Sequence, residues 1–468
     1  MEDLRTGVNR GATYGLFGPP EPFMDQVRAL NGRFTRVNLF WSQIEPEPGR
    51  FDWTVVDALL GQLQDGDEVW VTVCAASPWA TRRATRFLPP SPAKEPTAYE
   101  RFVGELVRHA RGMVRFWQCE IEPNVPMLWS GGLDDYLAHL RVFHRAVKEA
   151  DPRALVALGA AVPGAMTGNA SWIAYFDRIL AGAGGCFDVF DLHPYGDPYQ
   201  IPALTEACRR RMGAHGYVRP IAASEFNGPM PTGFPANLPN LGEALAAHRS
   251  QFLGETPIPP GGVLASQAQP AVTALYERAH ELPDSLRMFL DGCPPELEAR
   301  RFRMAGRDIV TRTLLLLAAG VRRTAVFQLA PEAAREGSTH TVRALMFGTF
   351  ALMDADGTRH PTADVVELLS RRLRDVTDVR RLHVAERPDI YLFELRAGSC
   401  EPMLVAWLRR DGLAGEDEPP VPFAWPWPLP AAHAVDAFGA GVSADVAGGR
   451  VRLSLSVTPA FITSGSSR

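Results

Sequence analysis

The sequence predicts an α/β protein, a (β/α)8 TIM barrel followed by a small C-terminal β-sandwich. Three observations lead to it. From residue 11 to about 375, eight short β-like runs alternate with amphipathic helical stretches. No Gly-rich phosphate fingerprint marks a doubly wound sheet. After about residue 376 the pattern changes to short strands with Gly and Pro between them.

The strand candidates of the barrel are 12–17, 34–40, 68–73, 114–122, 155–160, 187–193, 221–225 and 323–329. Between the fourth and fifth, Leu133, Tyr136, Leu140, Phe143 and Val147 recur at spacings of three and four, one apolar face of a helix. Gly131-Gly132 breaks the chain ahead of that helix and Asp151-Pro152 closes it. Similar helices are expected over 53–63, 97–111, 172–180, 295–319 and 363–373. The segment 226–295 exceeds the usual βα loop of ~2–6 residues and so needs structure of its own. Helices are expected there over 241–253 and 271–282, separated by the breakers Pro257, Pro259, Pro260, Gly261 and Gly262. The sandwich strands are expected at 381–384, 390–396, 403–408, 434–438 and 451–457, with the Pro/Trp-rich string 419–430 as a rigid loop. The division is therefore residues 1–375 for the barrel with its insertion, and 376–468 for the sandwich.

Composition narrows the function classes. The 468 residues are 46% hydrophobic and 22% charged, a globular makeup. With 48 Lys+Arg against 53 Asp+Glu, the net charge of -5 offers no basic footprint for nucleic acid. The longest apolar run, 313–321, is closed by Arg312 and Arg322, well short of the ~20 residues a membrane span needs. The opening MEDLRTGVNRG has no apolar core of a secretory signal, and six cysteines without a CxxC pair read as free thiols, so a cytoplasmic setting is expected. No metal or organic cofactor is expected. His139 and His144, on one helix with Leu140 and Phe143, cannot both point inward as metal ligands, and Arg209–Arg211 reads as a solvated helix face.

Catalytic groups of such barrels sit at the C-terminal ends of strands. The fourth strand reads VRFWQCEIEPN, which by strict alternation puts Gln118, Glu120 and Glu122 on one side. Carboxylates buried there are costly unless paired or used. The seventh strand, IAASEFNG, ends in Glu225. Glu122 and Glu225 thus end two strands across one barrel mouth, the kind of pair that glycosidic bond cleavage requires. Trp41, Trp79 and Trp129 are candidate sugar platforms, since an aromatic face packs on the C–H face of a pyranose.

At these residues the chain resembles the clan A retaining glycoside hydrolases, and most the family 39 β-xylosidase type, a barrel joined to a β-sandwich. TRVNLFWSQIEPEPGRFDW is similar to the second-strand segment, with Arg36 at the place of an arginine that contacts the nucleophile. VWVTVCAASPWA resembles the third strand, with Trp79 beside the site. FWQCEIEPN resembles the acid/base motif W-x-x-N-E-P and implies that role for Glu122. FDVFDLHPYG resembles the sixth strand, whose His193 and Tyr195 would flank the nucleophile, and IAASEFN implies Glu225 as that nucleophile. FGTFALMDADGTRHPT resembles the stretch after the last strand. Two departures stand out. Ile121 replaces the asparagine that bonds a sugar 2-hydroxyl, and the eighth strand ends FQLAPE where relatives place a tryptophan. Glu120 or Asn124 is the expected substitute for the lost contact. The resemblance implies a retaining O-glycosidase acting on a small or specialised β-glycoside, with Tyr195 and Arg36 holding Glu225. A transglycosidase of small-molecule biosynthesis and a catalytically silent sugar-binding protein are the alternatives, the latter disfavoured by two close buried glutamates.

Overall fold

The computed structural model describes residues 3–252, 269–331, 340–398 and 402–464. Eight parallel strands form a barrel: β1 (Arg5–Asn9), β2 (Phe34–Phe40), β3 (Glu68–Cys74), β4 (Phe116–Cys119), β5 (Leu155–Ala157), β6 (Phe190–Asp191), β7 (Ile221–Phe226) and β8 (Arg323–Phe327). They pair in the order β5-β4-β3-β2-β1-β8-β7-β6. Parallel bridges Ala157–Val189 and Ala161–Leu192 bring the two ends of the sheet together. The returning helices are α1 (Met24–Ala29), α2 (Thr54–Leu60), α3 (Pro96–His109), α4 (Leu133–Ala150), α5 (Ala170–Ala183), α6 (Ile201–Gly213), α7 (Pro295–Ala318) and α8 (Pro361–Leu373).

The sequence dictates these elements locally. α4 buries Tyr136, Leu140, Phe143 and Val147 along one stripe, as their spacing requires. Asp135 accepts the Gly132 backbone N–H at 3.1 Å, and Asp134 and Asp135 place negative charge at the positive end of the helix dipole. Every residue of β2 and β3 is buried, as strands covered on both faces must be. Val37, Leu39, Val69 and Val71 join the core shared with the helices, each stabilising by roughly 1.5–3 kcal/mol relative to exposure. On the inner face, Phe34, Trp70, Phe116, Ala157, Val189, Ala222 and Ala325 fill the floor of the barrel. A buried polar layer containing Arg36, Thr72, Gln118, Asp191 and Ser224 is bonded together inside the same barrel.

The first strand lies at Arg5–Asn9, not at 12–17, which forms the loop after it. Its inner face carries Gly7, where a Cβ would sit 1.7 Å from the Phe34 carbonyl oxygen, so close packing against β2 replaced the apolar pattern that would have revealed it. The insertion after β7 contains helices Leu238–Phe252 and Pro270–Glu277; its breaker string at 257–262 lies outside the described residues. Leu241, Leu275, Leu286 and Phe289 of the insertion pack with Leu297 and Met304 of α7. Ala244 and Val272 pack with Val342 and Met346 of the helix Val342–Phe347 that follows β8.

The C-terminal region is antiparallel, with a six-stranded and a three-stranded sheet. Within 419–430, expected as a loop, Val421–Pro426 is a strand paired to Arg450–Leu455. It is an edge strand, where proline's missing N–H removes no ladder bond. The region grips the barrel. Arg303 and Arg307 of α7 pair with Glu416 at 2.5 and 2.8 Å, and Trp407 donates its indole N–H to the Tyr199 hydroxyl at 3.0 Å, just before α6. No helix among the described residues is long and apolar enough to cross a membrane.

Candidate active site

Five of the residues singled out from the sequence come together at the C-terminal ends of the strands: Arg36, Glu122, His193, Tyr195 and Glu225. Glu225 is turned inward where the β7–β8 register shifts between Ala223 and Phe226. Its two oxygens are held separately. Arg36 donates to Oε2 at 2.6 Å and Tyr195 donates its hydroxyl to Oε1 at 2.9 Å, with the Asn9 amide at 3.4 Å from Oε2. Glu122 has a different arrangement, its Oε1 meeting His193 Nδ1 at 2.7 Å.

The polar layer beneath fixes these donors. Arg36 Nε donates to Thr72 at 2.9 Å and to Gln118 at 3.2 Å. Gln118 in turn donates to Asp191 at 2.7 Å and to the Leu158 carbonyl at 3.0 Å. Asp191 accepts the Ser224 backbone N–H at 3.0 Å and its hydroxyl at 2.5 Å. Burial alone would raise the Asp191 carboxyl, but His193, Arg36 and Ser224 hold it below the usual carboxylate range. Burial likewise opposes charge on His193, and the carboxylates of Glu225 and Asp191, with the hydrogen bond to Glu122, overcome it, pushing its pKa up to about 10. Both ring nitrogens therefore donate at neutral pH, Nδ1 to Glu122 and Nε2 toward Asp191 at 3.3 Å. Burial, reinforced by Glu225, raises the Tyr195 hydroxyl well above its ordinary value and keeps it a neutral donor.

One atom each of Glu122, His193 and Glu225 lies within 4.8 Å of the others, a spacing that could hold a cation.

The other expected site residues are not hydrogen-bonded into this cluster among the described residues. Trp41 is fully buried, stacked on Phe102 at 4.8 Å and bonded to Glu45 at 2.8 Å, and is core, not a sugar platform. Trp129 is likewise buried, against Tyr136 and His139. Trp79 is half-buried, edge-on to Trp41 at 5.6 Å, with its indole N–H on the Glu45 carbonyl. Ile121 packs in an apolar cluster with Phe40, Cys74, Ala76, Phe87 and Leu88. Glu120 does not share a face with Gln118 and Glu122. Its φ of 63° breaks the strand alternation, and its carboxyl meets the Ala75 N–H and His139. Asn124 is buried, and neither polar atom of its amide has a hydrogen-bond partner among the described residues.

Sequence reasoning missed Asp191, Ser224, Asn9 and Arg312. Asp191 stands two residues before His193, on the same inward face, a signal that was available. Arg312, on α7, is fully buried and paired to Asp308 at 2.7 Å. It donates to the carbonyls of Pro194, at 2.6 Å, and Gly196, the two residues that flank Tyr195. Only the fold brings α7 to that loop.

No protein family matches this chain in sequence, and neither does any curated protein. Solved structures do match. A family 39 glycoside hydrolase from Bacteroides cellulosilyticus WH2 superposes with a TM-score of 0.62 at 14% identity, covering 99% of this chain and 81% of its own. A family 30 xylanase C from Talaromyces cellulolyticus gives 0.57 at 10% identity, covering 100% and 98%. A family 51 α-L-arabinofuranosidase from Bifidobacterium longum gives 0.57 at 12% identity, covering 99% and 97%. The chain has the fold that these clan A glycoside hydrolases share, a barrel with a β-sandwich, and the likeness does not single out one family.

Proposed function

We propose that the chain is a retaining O-glycosidase that hydrolyses a β-glycosidic bond of a small or specialised glycoside. The observation that carries this reading is the facing pair: one carboxyl oxygen of Glu122 lies within 4.8 Å of one of Glu225, an approach that suits the ~5–5.5 Å carboxyl separation of retaining enzymes. In this cycle Glu225, both oxygens oriented by Arg36 and Tyr195, attacks the anomeric carbon. The C–O bond to the aglycone breaks as Glu122 gives its proton to the departing oxygen. Water then enters, Glu122 takes one of its protons, and the resulting hydroxyl displaces Glu225 from the sugar, with the anomeric configuration restored. Asn124, with hydrogen-bonding capacity unspent, is the candidate for the hydroxyl contact that Ile121 cannot make.

In this reading the insertion narrows the barrel mouth and suits a small substrate. The insertion packs on the helix Val342–Phe347, and Phe347 and Phe350 stand 6.1 and 6.2 Å from the Tyr195 ring. The test is a panel of nitrophenyl β-glycosides with the wild type and Glu225→Gln, followed by NMR of the first-formed sugar. Release that is lost in the variant, with a β-configured product, is expected. An α-configured product, or wild type inert across the panel, overturns the reading.

A further inference from the structure

Glu120 has no part in the cycle above, yet its environment is unusual. Among the described residues only Asn31 and Glu120 adopt a positive φ without being glycine. The left-handed conformation is strained for a side chain of this kind and persists only where surroundings impose it. Here the surroundings are identifiable. The Glu120 backbone N–H donates to Val73 at 3.2 Å, and its Oε1 accepts the Ala75 N–H at 2.9 Å and meets His139 Nε2 at 3.1 Å. His139, on α4, is itself stacked on Tyr99 of α3 at 3.9 Å. The carboxyl is fully buried between strand end and helix layer, and burial raises its pKa against the lowering effect of His139 and Ala75.

This peg has a geometric result. β4 ends at Cys119, and regular alternation from Gln118 would carry Glu120 into the barrel beside Glu122. The left-handed residue instead sends Glu120 to the helices, puts Ile121 in the apolar cluster with Phe40 and Phe87, and leaves Glu122 against His193. We propose that Glu120 is the positioning residue for Glu122: by fastening the end of β4 to Ala75 and His139 it holds the turn that aims the acid/base carboxyl at His193. The role assigned to Glu122 rests on the glycosidase reading; the positioning itself does not.

The test compares Glu120→Ala, Glu120→Gly and Glu120→Gln in the full chain, on glycosides of a good leaving group (dinitrophenol) and a poor one (an alkyl alcohol). Without a well-aimed Glu122, proton donation suffers, so Glu120→Ala should lose ~10²–10³-fold on the alkyl glycoside and at least ~10-fold less on the dinitrophenyl one. Glu120→Gln keeps an acceptor for Ala75 and should restore most of the lost rate. Glu120→Gly relieves the backbone strain but removes the peg, and should resemble Ala. Equal losses on both aglycones, or a Gln variant no better than Ala, would overturn the proposal by pointing to general destabilisation. Crystal structures of wild type and Glu120→Ala decide even if no glycoside is cleaved. Glu122 displaced from hydrogen-bonding distance of His193 in the variant supports the positioning role, and Glu122 unmoved refutes it.

Discussion

The two glutamates at the barrel mouth share a cluster but not a setting. Glu225 has a donor on each oxygen, Arg36 and Tyr195, and a third, longer contact from Asn9. Among the described residues the carboxyl of Glu122 has one hydrogen-bonding neighbour, His193. A carboxylate gripped at both oxygens keeps one orientation, as a nucleophile needs, whereas one bonded through a single oxygen has the other to turn toward a departing group. The asymmetry also runs beneath the surface. Support for Glu225 passes through Arg36 into Gln118 and Asp191, and through Tyr195 to a loop clasped by Arg312. Glu122 depends on the backbone turn at Glu120.

The largest effect should come from removing the better-held member. Glu225→Gln is expected to lower kcat by ~10⁴-fold or more on every glycoside, whatever the leaving group, as read by initial rates. Glu122→Ala should cost ~10²–10⁴-fold on poor leaving groups and much less on dinitrophenyl glycosides, with added azide accelerating turnover. A Glu122 variant equally dead on both, and deaf to azide, would erase the distinction between the two.

Smaller effects sharpen it. Tyr195→Phe removes a bond to a charged group and should cost ~10–100-fold in kcat. Arg312→Lys keeps the charge but loses the fork that spans the Pro194 and Gly196 carbonyls, for an expected loss of several-fold. Because it acts through Tyr195, the loss should largely vanish in a Tyr195→Phe background, and additive effects would break that link.

The smallest expected effect is on stability. His193 titrates near pH 10 in the folded chain against about 6.5 when unfolded. The folded state therefore binds the extra proton between those values. Its contribution is complete below pH ~6.5 and is lost as pH rises through about 10. Denaturant unfolding from pH 6.5 to 10 should show falling stability in the wild type and a flatter profile in His193→Gln.

Much of this was legible in the chain. Strands with bulky alternating residues, such as Phe34–Phe40 and Glu68–Cys74, announce themselves, and the strand-end glutamates stood out because acids are rare in strands covered on both faces. What stayed hidden was set by tertiary contact. β1 needs Gly7 for room against Phe34, which erases its pattern. Glu120 was read by alternation onto the wrong face, because the force that flips it comes from Ala75 and His139, far away in sequence. Trp41 stood as a candidate sugar platform because a short sequence window does not reveal the Tyr99 and Phe102 that enclose it.

The contact between Trp407 and Tyr199 bears on how such a chain can change over time. Tyr199 also lies under the Arg409 guanidinium, 4.4 Å from its ring centre, and 4.7 Å from the Tyr391 ring, so aromatic and cationic groups of the last hundred residues brace a loop only four positions beyond Tyr195. A lineage that lost or exchanged the sandwich would unseat that loop in the same event.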